Sequence, residues 1–231
     1  VDNIIAASEQ EIENLELEKK GAMQKIFSQE VRFKTDAGTS YPDWEKETLK
    51  QSCEYVDYRG KTPRKTKSGI FLITAKNIRQ GYIDYKISQE YISEEDYDDV
   101  MHRGYPKIGD VLITTEAPCG YVAQIDNENV ALAQRVIKYR GKKEILNNTY
   151  LKYELQGNKF QTILFQKATG GTVKGIKGSV LHGLTIDIPC LEEQQKIADF
   201  LSEFDNAIEY AKEELEVWKN IKKGLLQQMF E

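Results

Sequence analysis

At 231 residues, 40% hydrophobic and 10% aromatic with 16 Gly and 5 Pro, the chain has the composition of a folded globular protein, which excludes a disordered or collagen-like one. No apolar run approaches the roughly 18 residues that cross a bilayer, and the N-terminus lacks the basic-then-apolar order of a signal peptide, so no membrane partner and a cytoplasmic location are expected. The formal net charge of −5 is unevenly spread: residues 1–29 carry 3 basic and 6 acidic side chains, residues 191–231 carry 5 and 10, and residues 30–190 carry 24 and 21. Salt screens charges beyond about 10 Å, so local clustering decides whether a polyanion can bind, and the net sign does not.

The first 29 residues read as a helix. Val1, Ile5, Ser8, Ile12, Leu15, Lys19, Ala22 and Ile26 follow the alternating four-and-three spacing of a coiled-coil seam. The seam is already running at Val1 without a capping residue, so the chain is expected to start inside a longer helix.

Residues 30–190 read as one mixed domain. Strands are expected at Ile70–Thr74, Tyr82–Ile87, Val111–Thr115, Tyr121–Ile125, Val130–Tyr139 and Leu184–Ile188, where β-branched or aromatic runs are punctuated by Gly, Pro, Asn or Asp. One helix should be capped by Ser93, with Glu94, Glu95 and Asp96 in its positive first turn. Another should start near Asn147 or Asn148, carry Leu151 and Leu155, and continue to Ile163 and Leu164. This order lacks βαβ alternation, so the fold class expected is α+β, a globular domain with a mostly antiparallel sheet flanked by long coiled-coil-type helices.

Residues 191–231 continue as a helix from about Glu192 to Phe230, about 58 Å long at 1.5 Å per residue. Its seam is Ile197, Leu201, Phe204, Ile208, Ala211, Leu215, Trp218, Lys222, Leu225 and Met229. Residues 1–27 align without gaps on residues 204–230, with ten identities: Asp2, Asn3, Ile5, Glu11, Glu13, Lys19, Lys20, Gly21, Gln24 and Phe27 recur 203 positions later. The same lysine interrupts both seams, at Lys19 and Lys222. A helix this long needs a partner along its length, either the first helix or a second copy of the chain. Ile5, Ile12, Leu15, Ile197, Leu201, Phe204, Ile208, Leu215 and Trp218 are the candidate packing residues.

Two segments of the middle domain are basic. Residues 59–79 hold Arg59, Lys61, Arg64, Lys65, Lys67, Lys76 and Arg79 and no acidic residue. Residues 129–177 hold ten Lys or Arg against Glu144 and Glu154, and end in the polar stretch Ala168-Thr-Gly-Gly-Thr-Val-Lys-Gly-Ile-Lys177. Loops rich in Gly, Thr and Lys can approach a phosphate backbone closely, whereas sequence is read by side chains that pair with base edges, Arg or Lys with guanine and Asn or Gln with adenine. The DNA-binding candidates are Arg59, Lys61, Thr62, Arg64, Lys65, Lys67, Lys76, Asn77, Arg79, Gln134, Arg135, Lys167, Thr169, Lys174 and Lys177. Among these, Asn77, Arg79, Gln134 and Arg135 are the candidate base readers.

Catalytic chemistry finds no matching pattern. A phosphate loop needs Lys directly after its second Gly, and here Ile176 follows Gly175. His102 and His182 are the sole histidines and neither lies in a metal or nucleophile pattern. Cys53, Cys119 and Cys190 form no C-x-x-C pair, which implies neither zinc nor a disulfide framework. Glu90, Glu94, Glu95, Asp96, Asp98 and Asp99 read as a solvated acidic face, with a metal site as the lesser alternative. No catalytic residue, metal ligand or cofactor site is therefore assigned.

Several stretches resemble the specificity subunits of type I restriction and modification systems: Trp44 with its run to Leu49, Gly60-Lys-Thr-Pro63, Ile73-Thr-Ala-Lys-Asn-Ile78, Gly109-Asp-Val-Leu-Ile113, the Gly-Thr stretch 169–177, and Leu184–Pro189 leading into Leu191-Glu-Glu-Gln-Gln-Lys-Ile-Ala198. The resemblance implies a non-catalytic subunit in which residues 1–29 end one spacer helix, residues 30–190 form a target-recognition domain, and residues 191–231 form a second spacer helix. It also implies that the chain reads one half of a two-part site in double-stranded DNA and scaffolds methyltransferase and restriction subunits. Those subunits, by the same resemblance, bring S-adenosylmethionine, ATP and magnesium. The family has two recognition domains and this sequence has one, so it is either a C-terminal half or a half-length subunit that dimerises through its spacer helices. The readings that compete with this are a coiled-coil interaction module and a stand-alone nuclease or methyltransferase.

Overall fold

The computed structural model describes residues 1–60 and 62–229. In chain order the elements are α1 (Asp2–Phe27), β1 (Glu45–Thr48), α2 (Leu49–Ser52), β2 (Cys53–Asp57), β3 (Ile70–Ile73), β4 (Tyr91–Ile92), α3 (Tyr97–Met101), β5 (Val111–Thr114), β6 (Val122–Gln124), β7 (Val130–Leu132), β8 (Val136–Gly141), α4 (Asn148–Gln156), α5 (Asn158–Lys167), α6 (Gly178–His182), β9 (Thr185–Ile188) and α7 (Leu191–Met229). They form two compact units, one from residues 1–32 with the chain after 195, the other from residues 33–195. The fold class is α+β, as the order of strand and helix patterns implies.

Within the helical unit α1 and α7 run antiparallel. The charged pairs Lys212 with Glu16 at 2.7 Å and Lys219 with Glu9 at 3.1 Å fix that direction. Ile12, Ala211 and Leu215 bury one another, with Ile5 and Leu15 packed at the edge. Ile197, Leu201 and Ile208 are buried, while Phe204 and Trp218 are half-buried. The repeated lysine now has a physical reason: Lys19 bonds Asp205, which is the copy of Asp2, and Lys222 bonds Asp2 itself at 2.8 Å. The duplicated sequence thus closes on itself as two equivalent ion pairs across an antiparallel helix pair. Phe230, the expected helix end, lies outside the described residues.

The larger unit contains three sheets. Strands β2-β8-β5-β6 make an antiparallel sheet, β4-β3-β7 a three-stranded sheet in which β3 and β7 are parallel, and β1-β9 an antiparallel pair. Among the described residues every other strand pair is antiparallel. Leu72, Ile73, Ile92, Leu112, Ala123, Val130 and Leu132 from the first two sheets share one core with Met101 of α3. Each Leu, Ile, Val or Met among them contributes about 1.5–3 kcal/mol on leaving water. The other side of the four-stranded sheet is covered by α4, which touches β5, β6 and β8, so β5 is buried at every position.

Several expected elements differ from those observed. The strand expected at Tyr82–Ile87 is a loop with a single bridge, Ile78 to Ile83. Ser93 does not cap a helix directly; its hydroxyl accepts from Asp96 N at 3.2 Å in a turn, and α3 starts at Tyr97. The helix expected from Asn147 is capped as the sequence suggests, its side chain accepting from Thr149 N and Tyr150 N at 2.8 and 3.1 Å. It then breaks at Gly157, whose extended backbone separates α4 from α5. The expected strand Val130–Tyr139 is two strands in different sheets: β7 beside β3, then β8 between β2 and β5. Its chain crosses between sheets at Ala133–Arg135, where Ala133 N still bonds Ile73 O at 2.9 Å.

The Glu-Gln start of α7 closes this unit. Gln194 is fully buried; it donates to Ile145 O and Pro189 O at 2.8 and 2.7 Å and accepts from Asn147 N at 2.8 Å. Trp44 donates its indole N–H to Glu193 at 2.9 Å.

Candidate nucleic-acid interface

Three chain segments meet at one end of the β5–β8 strand pair. Thr115 N bonds Arg135 O at 3.0 Å, and Ile176 N bonds Thr115 O at 2.9 Å. The sheet crossover, the end of β5 and the Gly-Thr stretch are thereby stitched together through backbone. That stretch is itself a closed loop, since Thr169 and Gly175 exchange both backbone hydrogen bonds at 2.8 and 2.9 Å. Gly170 makes the closure possible: at φ +116° an added Cβ would lie 2.2 Å from Val173 O.

Between the segments lies an open groove of about 440 Å³, lined among others by Arg59, Glu116, Gln134, Arg135, Thr169, Gly170 and Lys177. Five of the residues singled out from sequence therefore share one surface: Arg59, Gln134, Arg135, Thr169 and Lys177. They come from three stretches of the chain, around residues 59, 134–135 and 169–177. Arg59 is braced by a fork onto Asp57, with Nε at 2.9 Å and Nη2 at 2.5 Å from Oδ2. Burial alone would raise the Asp57 carboxyl, but the hydrogen bonds and charge of Arg59 outweigh it and hold the group below the usual carboxylate range. Arg103, which sequence reasoning did not single out, donates to the carbonyls of Asp57 and Arg59 at 2.8 Å each and fixes the loop's start. Arg135 reaches Glu116 at 2.8 Å, and both side chains remain about half exposed.

The other candidates lie elsewhere. Lys65 pairs with Glu90 at 2.6 Å, and burial, which would raise the Glu90 carboxyl, is outweighed by Lys65, Ser88 and Lys76, so it stays below its ordinary range. Thr62, Arg64, Lys67 and Lys76 are exposed and Arg79 is half-buried, and none of them lines the groove. Lys167 at the end of α5 and Lys174 beside the loop neck are also exposed and outside the lining. Lys61 lies outside the described residues. Asn77 is a correction: it is 0% exposed, accepts from Thr74 N and Oγ1 at 2.9 and 2.8 Å, and donates to Asp84 O at 3.0 Å and to Ile87 O. An amide with its bonds satisfied by its own loop has nothing left for a base edge.

A family pattern described as the type I restriction modification DNA specificity domain matches residues 41–218. The chain belongs to this family. A specificity subunit of Methanocaldococcus jannaschii, that of the type I restriction enzyme MjaVIII, is 30% identical over 97% of the chain and 55% of that protein. The MjaIX specificity subunit of the same organism is 32% identical over 88% of the chain and 48% of that protein. Among solved structures, the HsdS subunit from Thermoanaerobacter tengcongensis shares the fold with a TM-score of 0.58 at 17% identity, covering 99% of this chain and 54% of that one. A chain from a structure of type I R-M complex assembly and conformational transition gives a TM-score of 0.62 at 18% identity, covering 99% and 55%. The chain thus spans about half the length of the relatives it matches.

The basic count of residues 129–177 overstates what this specificity domain shows to solvent. Lys138 and Arg140 converge on Asp110, which is 1% exposed: Arg140 bonds it through Nε at 2.6 Å and Nη2 at 2.7 Å, and Lys138 Nζ lies 3.4 Å away. Burial lowers the Lys138 pKa, and the Asp110 charge opposes that fall. Lys152 is buried against the Tyr153 ring, and Lys159 bonds Asp187. Lys138, Arg140 and Lys152 are thus engaged inside the domain, while the half-exposed Lys159 is tied to a buried carboxylate. Of the acidic residues near Ser93, Glu90 holds Lys65 and Asp98 accepts from Tyr105 Oη at 3.0 Å. No set of three His, Cys, Asp or Glu among the described residues could hold a metal ion, and no helix there is long and apolar enough to cross a membrane.

Proposed function

We propose that this chain is a DNA-reading module that recognises one half of a two-part duplex site and carries that recognition into a type I restriction-modification complex without performing a reaction itself. The observation that supports this reading most is the groove, where backbone bonds tie the crossover that carries Gln134 and Arg135 to the stretch that carries Thr169 and Lys177, and Arg59 joins them from the loop after β2 on one open surface. Its guanidinium, ammonium, hydroxyl and amide donors are the groups that contact phosphates and base edges. The antiparallel α1–α7 pair is the natural platform for the methyltransferase and restriction subunits, and S-adenosylmethionine, ATP and magnesium belong with those partners. A second recognition domain, in the same polypeptide or in a second copy, would supply the other half-site. Joining two readers raises overall affinity by about 10² to 10⁴ without new contacts. The reading places the chain in the cytoplasm.

Duplex binding measured against salt tests this. Lys174→Glu and Lys177→Glu should weaken binding to all sequences alike and lower the steepness of the salt dependence by roughly one phosphate contact or more each. Gln134→Ala should alter preference among sequences. Salt-insensitive binding that no substitution changes, or turnover of DNA by the pure chain with magnesium or S-adenosylmethionine, overturns the proposal.

A further inference from the structure

Glu116 is the one carboxylate in a lining whose other charged side chains, among the described residues, are Arg59, Arg135 and Lys177. It is half exposed, and its charge acts on Arg59 as well as on Arg135. A groove that only held phosphates would be weakened by an anion in its lining. The position is also fixed: Glu116 forms a backbone bridge to Gly175, and the neighbouring Thr115 bonds both Arg135 and Ile176. Its side chain therefore projects from rigid backbone beside Arg135, and the 2.8 Å contact between them is open to solvent on both partners.

We infer that Glu116 and Arg135 together form a base-reading head for a single G·C pair. This rests on the DNA-reading proposal above. In the major groove a G·C pair presents the cytosine N4 amine as a donor beside the O6 and N7 acceptors of guanine, and carboxylates and arginines are their respective complements. An A·T pair also carries a donor, the adenine N6 amine, but between the N7 and O4 acceptors, so it offers no two adjacent acceptors with the donor beside them. Without DNA each group of the head satisfies the other; on a G·C pair the carboxylate accepts from the amine and the guanidinium turns to the guanine acceptors. On a pair with another order of groups, at least one member of the head meets a group of its own kind or a methyl and stays desolvated without a complement, which penalises the wrong sequence. Gln134 flanks this head in the same lining.

Selection of duplexes from a randomised pool by the whole chain at low salt, followed by binding titrations, tests the inference. The wild-type chain should select a motif with at least one fixed G·C pair. Glu116→Gln should bind unselected DNA as tightly or several-fold more tightly, because one negative charge has left the groove. It should also lose roughly ten-fold discrimination at that one pair. Arg135→Ala should relax the same pair, whereas Lys174→Gln should weaken all sequences with the motif intact. If Glu116→Gln keeps the wild-type motif, or weakens binding to every sequence, the head is wrong while the DNA-reading module stands. If the wild-type chain binds no duplex at all, both fall together. Thermal melting of each variant identifies any loss of binding that comes from unfolding.

Discussion

Two arginine–carboxylate pairs bracket the same pair of strands. At one end of β5–β8, Arg140 forks onto Asp110 with Lys138 alongside, and the carboxylate is sealed from water. At the other end, Arg135 meets Glu116 with each side chain about half exposed. The chemistry is alike and the environments are opposite. A buried carboxylate that loses its partners, or whose partners lose it, leaves uncompensated charge in a poor solvent, so the inner pair is fixed. An exposed pair is worth roughly 0–1 kcal/mol, because water can replace either partner, so the outer pair is free to exchange one for another. Burial, and not residue type, separates a structural ion pair from one available for recognition.

The largest expected effect is at the inner pair. Asp110→Ala should cost about 3–5 kcal/mol in urea unfolding, seen as a lower midpoint with an unchanged slope. A loss below about 1 kcal/mol would erase the contrast between the two ends.

A third carboxylate separates burial from pairing. Glu154 on α4 is fully buried; it accepts from Asp187 N at 3.2 Å, and Lys159 bonds Asp187. Burial pushes its carboxyl up to about 8, while the backbone hydrogen bond opposes the rise and the Asp187 charge adds to it. The unfolded chain sheds this proton near 4.5 and the folded chain keeps it to about 8, so the folded state binds more protons in between. Stability is therefore greatest below the unfolded value and falls as pH rises through that window, by up to about 1.4 kcal/mol per pH unit. Denaturation between pH 5 and 8 should show this decline in the wild type, and Glu154→Gln should flatten it. An unchanged slope in the variant would mean that another group carries the dependence.

The smallest effect belongs to the outer pair. Glu116→Ala should shift stability by no more than about 0.5 kcal/mol in the same urea experiment. A loss comparable to that of Asp110→Ala would make Glu116 structural and remove the distinction.

The sequence reveals the elements whose own side chains carry the signal. Ile70–Ile73 and Val111–Thr114 are apolar or β-branched runs that follow Gly69 and Asp110, Thr185–Ile188 alternates apolar with polar residues before Pro189, and all three are strands. Glu45-Lys-Glu-Thr48 and Tyr91-Ile92 are strands only because a partner strand offers its edge, and charge or brevity hides them. Tyr82–Ile87 has strand composition, but Asn77 captures the carbonyls of Asp84 and Ile87 and holds the segment as a loop. The same limit governs the groove. Basic residues at 59, 135 and 177 are visible in a linear reading, but their meeting depends on the crossover at Ala133–Arg135, which no periodicity announces. Glu116 escapes a search for cations altogether. Asp110 leaves a faint trace, a lone acid before Val-Leu-Ile, whose meaning depends on Lys138 and Arg140 alternating with Tyr139 on the facing strand.

The closed neck of the loop from Thr169 to Gly175 has a consequence for how such modules diversify. The two backbone bonds at the neck use no side chain, and Gly171 at the tip has no atom within 4 Å of where a Cβ would sit. Substitutions beyond Gly170, and even a change in tip length, should leave the core indifferent. The loop behaves as an exchangeable cassette, so new surface chemistry can be sampled without risking the scaffold that displays it.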